Sequence, residues 1–345
     1  MDLNQDYTKL DPSGVEKALQ MFSDQIRETF SQASTLKFVI SDFDNIIVSG
    51  MGGSSNAGKI VQGLLESNYE KPFVVYNDYG LPEWVNQKTL VILNSYSGNT
   101  EETLSGYQVA KSRGAQIIGI STGGKIGELI TSGEIQGAII DPKDTNPTGF
   151  PKSGLGVSLG GLMGVLQTIG IMPNAGTEID SALKELEGIR TNWNAKEIAK
   201  KLHGFIPVLF GGRPFIGALN AGRNAMCEIS RNFTEFYDFP EVNHVLVEAT
   251  QKPASALNKK YLFFESKFNH ERVQLRYRIT KDIFAEQNLN TFTYTLSTTS
   301  VLSQSLELAH YCAWVGFYIS ILDDTDPGPE PWILKLKSSL SKSIN

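Results

Sequence analysis

The sequence predicts an α/β protein with two doubly wound domains, each built on a parallel sheet with flanking helices. Short β-branched runs alternate with longer amphipathic stretches, which is the pattern of βαβ units. The chain has 345 residues, and this length allows two domains of about 150 residues each. We expect a first domain at 1–152, inter-domain helices at 153–195, and a second domain at 196–345.

Each predicted domain has its own set of strands. A helix over 14–32 precedes the first set, and helical stretches over 153–204 separate the two sets. The strands predicted for the first domain are 46–49, 73–76, 89–94, 116–120 and 138–141. Those predicted for the second domain are 206–210, 235–237, 261–264 and 292–296. Glycines follow the first strand of each set, where the chain must turn tightly into a helix.

Composition and charge argue against several classes of protein. The net charge is −6 and no basic run is present, so we expect no nucleic-acid partner. The two cysteines, Cys227 and Cys312, are far apart and lack a CxxC companion, which suggests neither a disulfide framework nor a zinc site. The N-terminus is polar and has no apolar segment of the secretory type, so we expect a cytoplasmic protein.

One stretch, 155–172, is almost continuously apolar and approaches the length of a membrane span, which is about 20 residues. It also contains five glycines, and glycine permits close contact between helices. Of the two interpretations, a membrane span and a tightly packed helix between domains, the sequence favours the packed helix.

Two segments of the first domain have the character of a phosphate site. GMGGSS at 50–55 and SYSGNTEET at 95–103 each follow a predicted strand and precede a helix. Glycine frees backbone N–H groups in such turns, and a helix N-terminus favours negative charge. Either segment alone could be an ordinary turn, with Ser97 or Thr100 as a helix cap. Together they lie at the carboxyl ends of parallel strands, where open α/β sheets bind ligands.

The second domain supplies candidate acid–base residues. GRNAMCEISRN at 222–232 contains Glu228, and DFPEVNH at 238–244 ends in His244. Taken alone, Glu228 would be a solvated helix carboxylate and His244 a surface or capping group. Their combination with a phosphate site suggests catalysis.

The two segments of the first domain resemble the phosphosugar-binding signature of sugar-isomerase (SIS) domains. The resemblance implies that both predicted domains are of the SIS type. It also implies that Ser95, Ser97 and Thr100 bind a sugar phosphate, while Gly53 and Ser54 line the sugar.

The segments of the second domain resemble the bifunctional phosphoglucose/phosphomannose isomerases, in which a helix bearing Asn-Glu-Asn precedes a Glu-x-Asn-His turn. The C-terminal LKSSL at 336–340 is similar to the closing helix of that family. This resemblance implies that Glu228 is the base and that His244 and Lys337 open and close the sugar ring. It also implies a homodimer, in which His244 could come from the partner subunit.

The chemistry requires such groups. Interconversion of an aldose and a ketose phosphate moves a proton between C2 and C1 through an enediol, and one carboxylate can carry it. Glu228 suits this role if burial raises its pKa towards neutrality. Histidine suits ring opening because it titrates near neutral pH. A cation, Lys337 or Lys335, would stabilise the enediolate. No metal or organic cofactor is required.

This sequence departs from the family pattern at three places. Lys152 stands where relatives carry an arginine, and lysine lacks the planar fork of a guanidinium. The turn DPGPEP at 326–331 lacks the hydroxyl residue expected near C2 of the sugar. Cys227 and Ile229 replace the asparagines that flank the glutamate.

Three functions follow from these patterns. The leading one is isomerisation of glucose 6-phosphate to fructose 6-phosphate, with mannose 6-phosphate as a second candidate substrate. A phosphosugar sensor without catalysis is suggested by Lys152 and by the altered turn. An isomerase of another phosphosugar is less consistent with the length of the chain, because such relatives commonly have one domain.

Overall fold

The first half of the chain forms a parallel five-stranded sheet. The computed structural model describes residues 3, 6–252 and 256–342. The strands of this sheet are β1 (Asn45–Ser49), β2 (Phe73–Tyr76), β3 (Thr89–Asn94), β4 (Gln116–Ser121) and β5 (Gln136–Ile139). Their order across the sheet is β2-β1-β3-β4-β5, and all pairings are parallel.

The second half forms a parallel four-stranded sheet. Its strands are β6 (Ile206–Gly212), β7 (Glu235–Phe239), β8 (Lys259–Glu265) and β9 (Thr291–Thr295). Their order is β7-β6-β8-β9. Strand order in both sheets reverses beside the first strand, as in doubly wound folds.

Helices flank both sheets, which confirms the predicted fold class. The helices of the first half are α1 (Val15–Gln20), α2 (Phe22–Ser34), α3 (Gly52–Leu65), α4 (Glu101–Ser112) and α5 (Gly124–Thr131). Those of the remainder are α6 (Leu155–Thr168), α7 (Ala175–Arg190), α8 (Ala195–Leu202), α9 (Ile216–Ala225), α10 (Val242–Ala249), α11 (Glu271–Glu286), α12 (Val301–Leu322) and α13 (Pro331–Lys342).

Several strand ends differ from the predicted ones by one or two residues, and two elements differ more clearly. The predicted helix over 14–32 is two helices, because the backbone of Met21 (φ −86°, ψ 9°) interrupts it. The last strand of the first sheet covers 136–139 rather than 138–141. It is an edge strand whose extent is fixed by its pairing with Ile118–Ser121 of β4, and Pro142 follows it closely.

The apolar stretch at 155–172 is a packed helix in the interior, as the sequence favoured. Glycines 156, 160 and 164 of α6 lie one turn apart and face the backbone of α2. A Cβ atom at Gly160 would lie 2.4 Å from the carbonyl oxygen of Ile26. No helix in the described part of the chain is both long and apolar enough to cross a membrane.

The two halves share one hydrophobic core. Buried side chains from both sheets, such as Ile46 of β1 and Leu262 of β8, belong to the same cluster. Helix α12 is buried along nearly its whole length. The predicted domain boundaries at 152 and 195 stay a prediction.

Helix α3 of the first half and α9 of the second half pack against each other at very short range. A Cβ atom at Gly63 would lie 2.2 Å from the carbonyl oxygen of Pro214, and one at Gly217 would lie 2.3 Å from the carbonyl carbon of Lys59. Between the same helices, Nδ2 of Asn220 donates a hydrogen bond to Oδ1 of Asn56 at 2.5 Å. This contact fixes the position of the second half relative to the N-terminus of α3.

We therefore expect Gly217→Ala to lower the free energy of unfolding by about 1–3 kcal/mol, because an added methyl group collides with backbone atoms that cannot give way. Urea denaturation measures this change. The control is Gly188→Ala in α7, where nothing lies within 4 Å of the added atom. There, helix propensity should give a gain of up to about 1 kcal/mol. Equal effects of the two substitutions would contradict the close contact between α3 and α9.

Candidate active site

The hydroxyl-rich turn between β3 and α4 forms a compact hydrogen-bonded loop. The hydroxyl groups of Ser95 and Thr100 bond each other at 2.9 Å, and the N–H of Gly98 donates to Oγ of Ser95 at 3.1 Å. Gly98 has a φ of 68° and a Cβ there would lie 1.8 Å from the carbonyl oxygen of Gly123, so only glycine fits. Thr100 precedes α4 but its side chain makes no capping bond. Thr100 therefore occupies the N-cap position of α4, while its hydroxyl group bonds Ser95 instead of capping the helix.

The glycine-rich turn before α3 lies against this loop. Oγ of Ser54 accepts a hydrogen bond from the N–H of Tyr96 at 3.1 Å. Nδ2 of Asn94 donates to the carbonyl oxygen of Ser54 at 3.1 Å. The two turns that the sequence predicted as one anion site are thus joined directly.

A cleft of about 550 Å³ opens beside the two turns. Elements of both halves and the C-terminal helix α13 line it. Seven of the predicted site residues are among the lining residues: Gly53, Ser54, Ser97, Thr100, Lys152, Glu228 and Lys337. Ser95 is buried directly behind Thr100.

Glu228 lies in a π-helical turn, Met226–Ser230, that continues α9. Burial, and after it the negative charge of Glu330, raises the pKa of its carboxyl group to about 7. The positive charges of Lys152, Arg223 and Lys337 oppose this shift. A carboxyl group with a near-neutral pKa can accept and return a proton at physiological pH.

Lys152 is the most deeply buried cation of the cleft, with a side chain that is 1% exposed. Its Nζ donates hydrogen bonds to the carbonyl oxygens of Pro327 at 2.8 Å and Glu228 at 3.3 Å. Burial lowers the pKa of Lys152, and the neighbouring charges of Glu330 and Glu228 oppose that effect. Lys152 therefore contacts Glu228 through the backbone carbonyl of that residue.

The two candidate lysines of α13 have different surroundings. Lys337 lines the cleft, whereas Nζ of Lys335 lies over the ring of Trp332 at 5.3 Å from its centroid. His244 lies in α10, and its side chain is exposed. It is not among the residues that line the cleft.

The sequence reasoning did not find two residues of this region. Glu330 lines the cleft, and its spacing to Ile333, Lys337 and Leu340 fits one face of a helix, which is a signal that could have revealed it. His310 of α12 shares a cavity of about 40 Å³ with Glu228. Burial lowers the pKa of His310 to about 3, so its ring is neutral. No sequence signal distinguishes such a histidine from any other.

Metal binding finds no support in the arrangement of side chains. Within residues 3, 6–252 and 256–342, no three His, Cys, Asp or Glu side chains lie close enough together to hold a metal ion.

Comparison with known proteins agrees with this architecture. Residues 191–340 match the family described as bacterial phospho-glucose isomerase C-terminal SIS domain, and residues 39–128 match the SIS domain. The chain is 31% identical over 316 residues to a bifunctional phosphoglucose/phosphomannose isomerase from Caldicellulosiruptor bescii. That alignment covers 87% of this chain and 91% of the relative. The chain belongs to the bifunctional phosphoglucose/phosphomannose isomerase family.

Another member of the family, from Aquifex aeolicus, is 32% identical over 306 residues, which are 88% of this chain and 92% of that protein. Among solved structures, the tagatose-6-phosphate ketose/aldose isomerase from Escherichia coli has a TM-score of 0.69 and 13% identity. The superposition covers 91% of this chain and 94% of that one. That likeness concerns the fold. The family membership confirms the resemblance found in the sequence, and the roles of the individual site residues stay predictions.

The raised pKa of Glu228 makes a prediction about stability. An unfolded glutamate titrates at its ordinary pKa, so the folded state holds a proton that the unfolded state loses between about pH 5 and pH 7. The wild-type protein therefore loses stability as the pH rises, and Glu228→Gln does not share this loss. From pH 5 to pH 8, the difference in free energy of unfolding between the two proteins should change by roughly 2 kcal/mol in favour of Glu228→Gln. Urea denaturation at both pH values measures it. A difference that does not change with pH would contradict the raised pKa.

Proposed function

We propose that this protein interconverts hexose 6-phosphates, taking glucose 6-phosphate and mannose 6-phosphate to fructose 6-phosphate through an enediol. The observation that carries the proposal is a carboxyl group with a pKa of about 7 in the same cleft as a hydroxyl-rich turn at a helix N-terminus. Relatives at 31% and 32% identity are named bifunctional phosphoglucose/phosphomannose isomerases, which supports both substrates.

In this proposal the turn at 95–100 holds the sugar phosphate. Ser97 and Thr100 offer hydroxyl groups to the cleft, and the N-terminus of α4 favours the negative charge. Ser95 holds Thr100 in place through their shared hydrogen bond. Gly53 and Ser54 lie beside the sugar ring. Anchoring the phosphate fixes the distance of C1 and C2 from the catalytic groups.

Glu228 acts as the base in the proposed mechanism. Its carboxylate removes the proton from C2 of the aldose and returns it to C1. The proton of the C2 hydroxyl group is lost and one is gained at the oxygen of C1, so both hydrogens that move in the reaction are accounted for. The enediolate that forms between the two steps is stabilised by positive charge in the cleft. Lys152 and Lys337 supply that charge.

Ring opening is assigned to His244 together with Lys337. His244 is exposed on α10, so we propose that it enters the site of a second copy in a homodimer. A two-fold dimer places the same surface of each chain against the other, which would complete both sites at once. We further propose a cytoplasmic location and no nucleic-acid partner, in keeping with the net charge of −6 and the charged substrate.

The first test is Glu228→Gln, which removes the base while keeping the size of the side chain. We expect turnover of both aldose phosphates to fall at least ~100-fold, the usual contribution of a general base. Binding of fructose 6-phosphate, measured by calorimetry, should be retained. Glu286→Gln at the exposed end of α11 removes one negative charge far from the cleft and should leave turnover unchanged.

The outcomes of this test discriminate between the functions considered. Unchanged turnover in Glu228→Gln would show that the base is elsewhere. Binding without turnover in the wild-type protein would instead indicate a phosphosugar sensor. Turnover of neither aldose, combined with turnover of another phosphosugar, would change the substrate class.

Shared active sites can be tested by mixing inactive variants. His244→Ala and Glu228→Gln each remove one of the two groups, and a mixed dimer would contain one intact site if the groups come from different subunits. Random pairing makes half of the dimers mixed, and each mixed dimer has one intact site out of its two. The mixture should therefore recover about 25% of wild-type activity. Activity that stays at the level of the single variants would place both residues in one subunit.

A further inference from the structure

A second carboxylate, Glu330, faces the cleft beside Glu228. Its side chain is 18% exposed, and its Oε1 lies 3.7 Å from Nζ of Lys152, whose own side chain is 1% exposed. Glu330 immediately precedes α13 and lines the same cleft as Lys337. The enediol chemistry described above makes no use of this carboxylate.

Lys152 joins the two backbone turns that carry these carboxylates. An ammonium group has three donors and no acceptor. Two of them are directed at the carbonyl oxygens of Glu228 at 3.3 Å and Pro327 at 2.8 Å. The third N–H is available to Glu330 at ion-pair distance. The lysine thus lies where the π-helical turn of the base meets the turn at 326–330.

The turn that bears Glu330 is itself held in place. The guanidinium group of Arg231 donates to the carbonyl oxygens of Asp326 at 2.6 Å and Pro329 at 2.8 Å. The N–H of Gly328 donates to Oδ1 of Asp326 at 2.8 Å. Arg231 follows the π-helical turn directly and has a φ of 55°. Hydrogen bonds thus hold both Lys152 and the turn that bears Glu330. The fold therefore sets the distance between the two charged groups.

We propose that Glu330 is a positioning residue for the isomerisation, which holds Lys152 as a cation against the turn of Glu228 and acts on the base through that lysine and through its own charge. The inference rests on the proposed function, in which Glu228 is the base. A buried lysine tends to lose its proton, and a carboxylate at ion-pair distance favours the charged form. A second carboxylate close to Glu228 disfavours ionisation of the base.

Further positive charges act on Glu228 and Lys152 as well. The pKa of Glu228 is raised by burial and then by Glu330, and it is lowered by Lys152, Arg223 and Lys337. The pKa of Lys152 is lowered by burial and by Arg231, and it is raised by Glu330 and Glu228. Among these groups, Glu330 raises the pKa of both Glu228 and Lys152.

This arrangement predicts the direction in which the pH dependence of activity moves. The base must be ionised, so activity rises with pH as Glu228 loses its proton, and it falls when Lys152 loses its own. In Glu330→Gln the pKa of both groups falls, and both limbs of the profile should move to lower pH. If the pKa values that set the limbs fall by half a pH unit, the ratio of variant to wild-type kcat/KM should be about twofold higher at pH 6 than at pH 8.

The control for charge is Glu286→Gln, which has the same change in net charge but lies on exposed α11. It should leave both limbs unchanged. Glu330→Asp keeps the negative charge but shortens the side chain by one methylene group. The two limbs of its pH profile should therefore lie between those of the wild-type protein and those of Glu330→Gln. It also serves as the test if Glu330→Gln does not fold. The inference would be overturned if each Glu330 variant that folds had the same pH profile as the wild-type protein.

A second measurement does not depend on turnover. In protein labelled with ¹³C at the glutamate carboxyl groups, the resonance missing from Glu228→Gln identifies Glu228. Its titration midpoint should be lower in Glu330→Gln than in the wild-type protein and unchanged in Glu286→Gln. An unshifted midpoint would overturn the role of Glu330 even in an active enzyme. A shifted midpoint in a protein without isomerase activity would leave the charge coupling intact and refute the proposed function alone.

Discussion

The close contact between α3 and α9 is the constraint on which the rest of the site depends. The turns that we propose to bind phosphate follow strands of the first sheet, and Glu228 belongs to the second half of the chain. The two helices approach so closely at Gly63 and Gly217 that no side chain fits between them. Because α3 begins at the glycine-rich turn and α9 leads into the turn of Glu228, this contact brings the two parts of the site to one cleft.

The electrostatics of the cleft follow from that geometry. Burial of Glu228 and the negative charge of Glu330 outweigh the positive charges of Lys152, Arg223 and Lys337. The resulting shift in the pKa of Glu228 costs stability, because an ionised carboxylate there is less favourable than in the unfolded chain. In the proposed mechanism, the same shift provides a base that works near neutral pH. The site therefore exchanges some stability of the fold for chemistry, as is common at functional sites.

Much of the first sheet and its hydroxyl-rich turn could be predicted, because local signals specify them. Buried β-branched runs define the strands, and the hydroxyl groups around Gly98 follow one of them directly. The environment of Glu228 was less accessible. Its neighbours Lys152 and Glu330 are 76 and 102 positions away in the numbering, and their approach depends on how α12 returns the chain across both halves. Sequence spacing also could not show that His244 follows an edge strand and lies outside the cleft of its own chain.

The central claim is that Glu228 removes a proton from C2 of a hexose 6-phosphate held by the turn at 95–100. The most direct measurement follows deuterium from solvent D₂O into the sugar by NMR, with glucose 6-phosphate and mannose 6-phosphate supplied separately. The account predicts deuterium at C1 or C2 from both epimers with the wild-type protein and almost none with Glu228→Gln. Incorporation at the wild-type rate in that variant, or none in the wild-type protein, would contradict it.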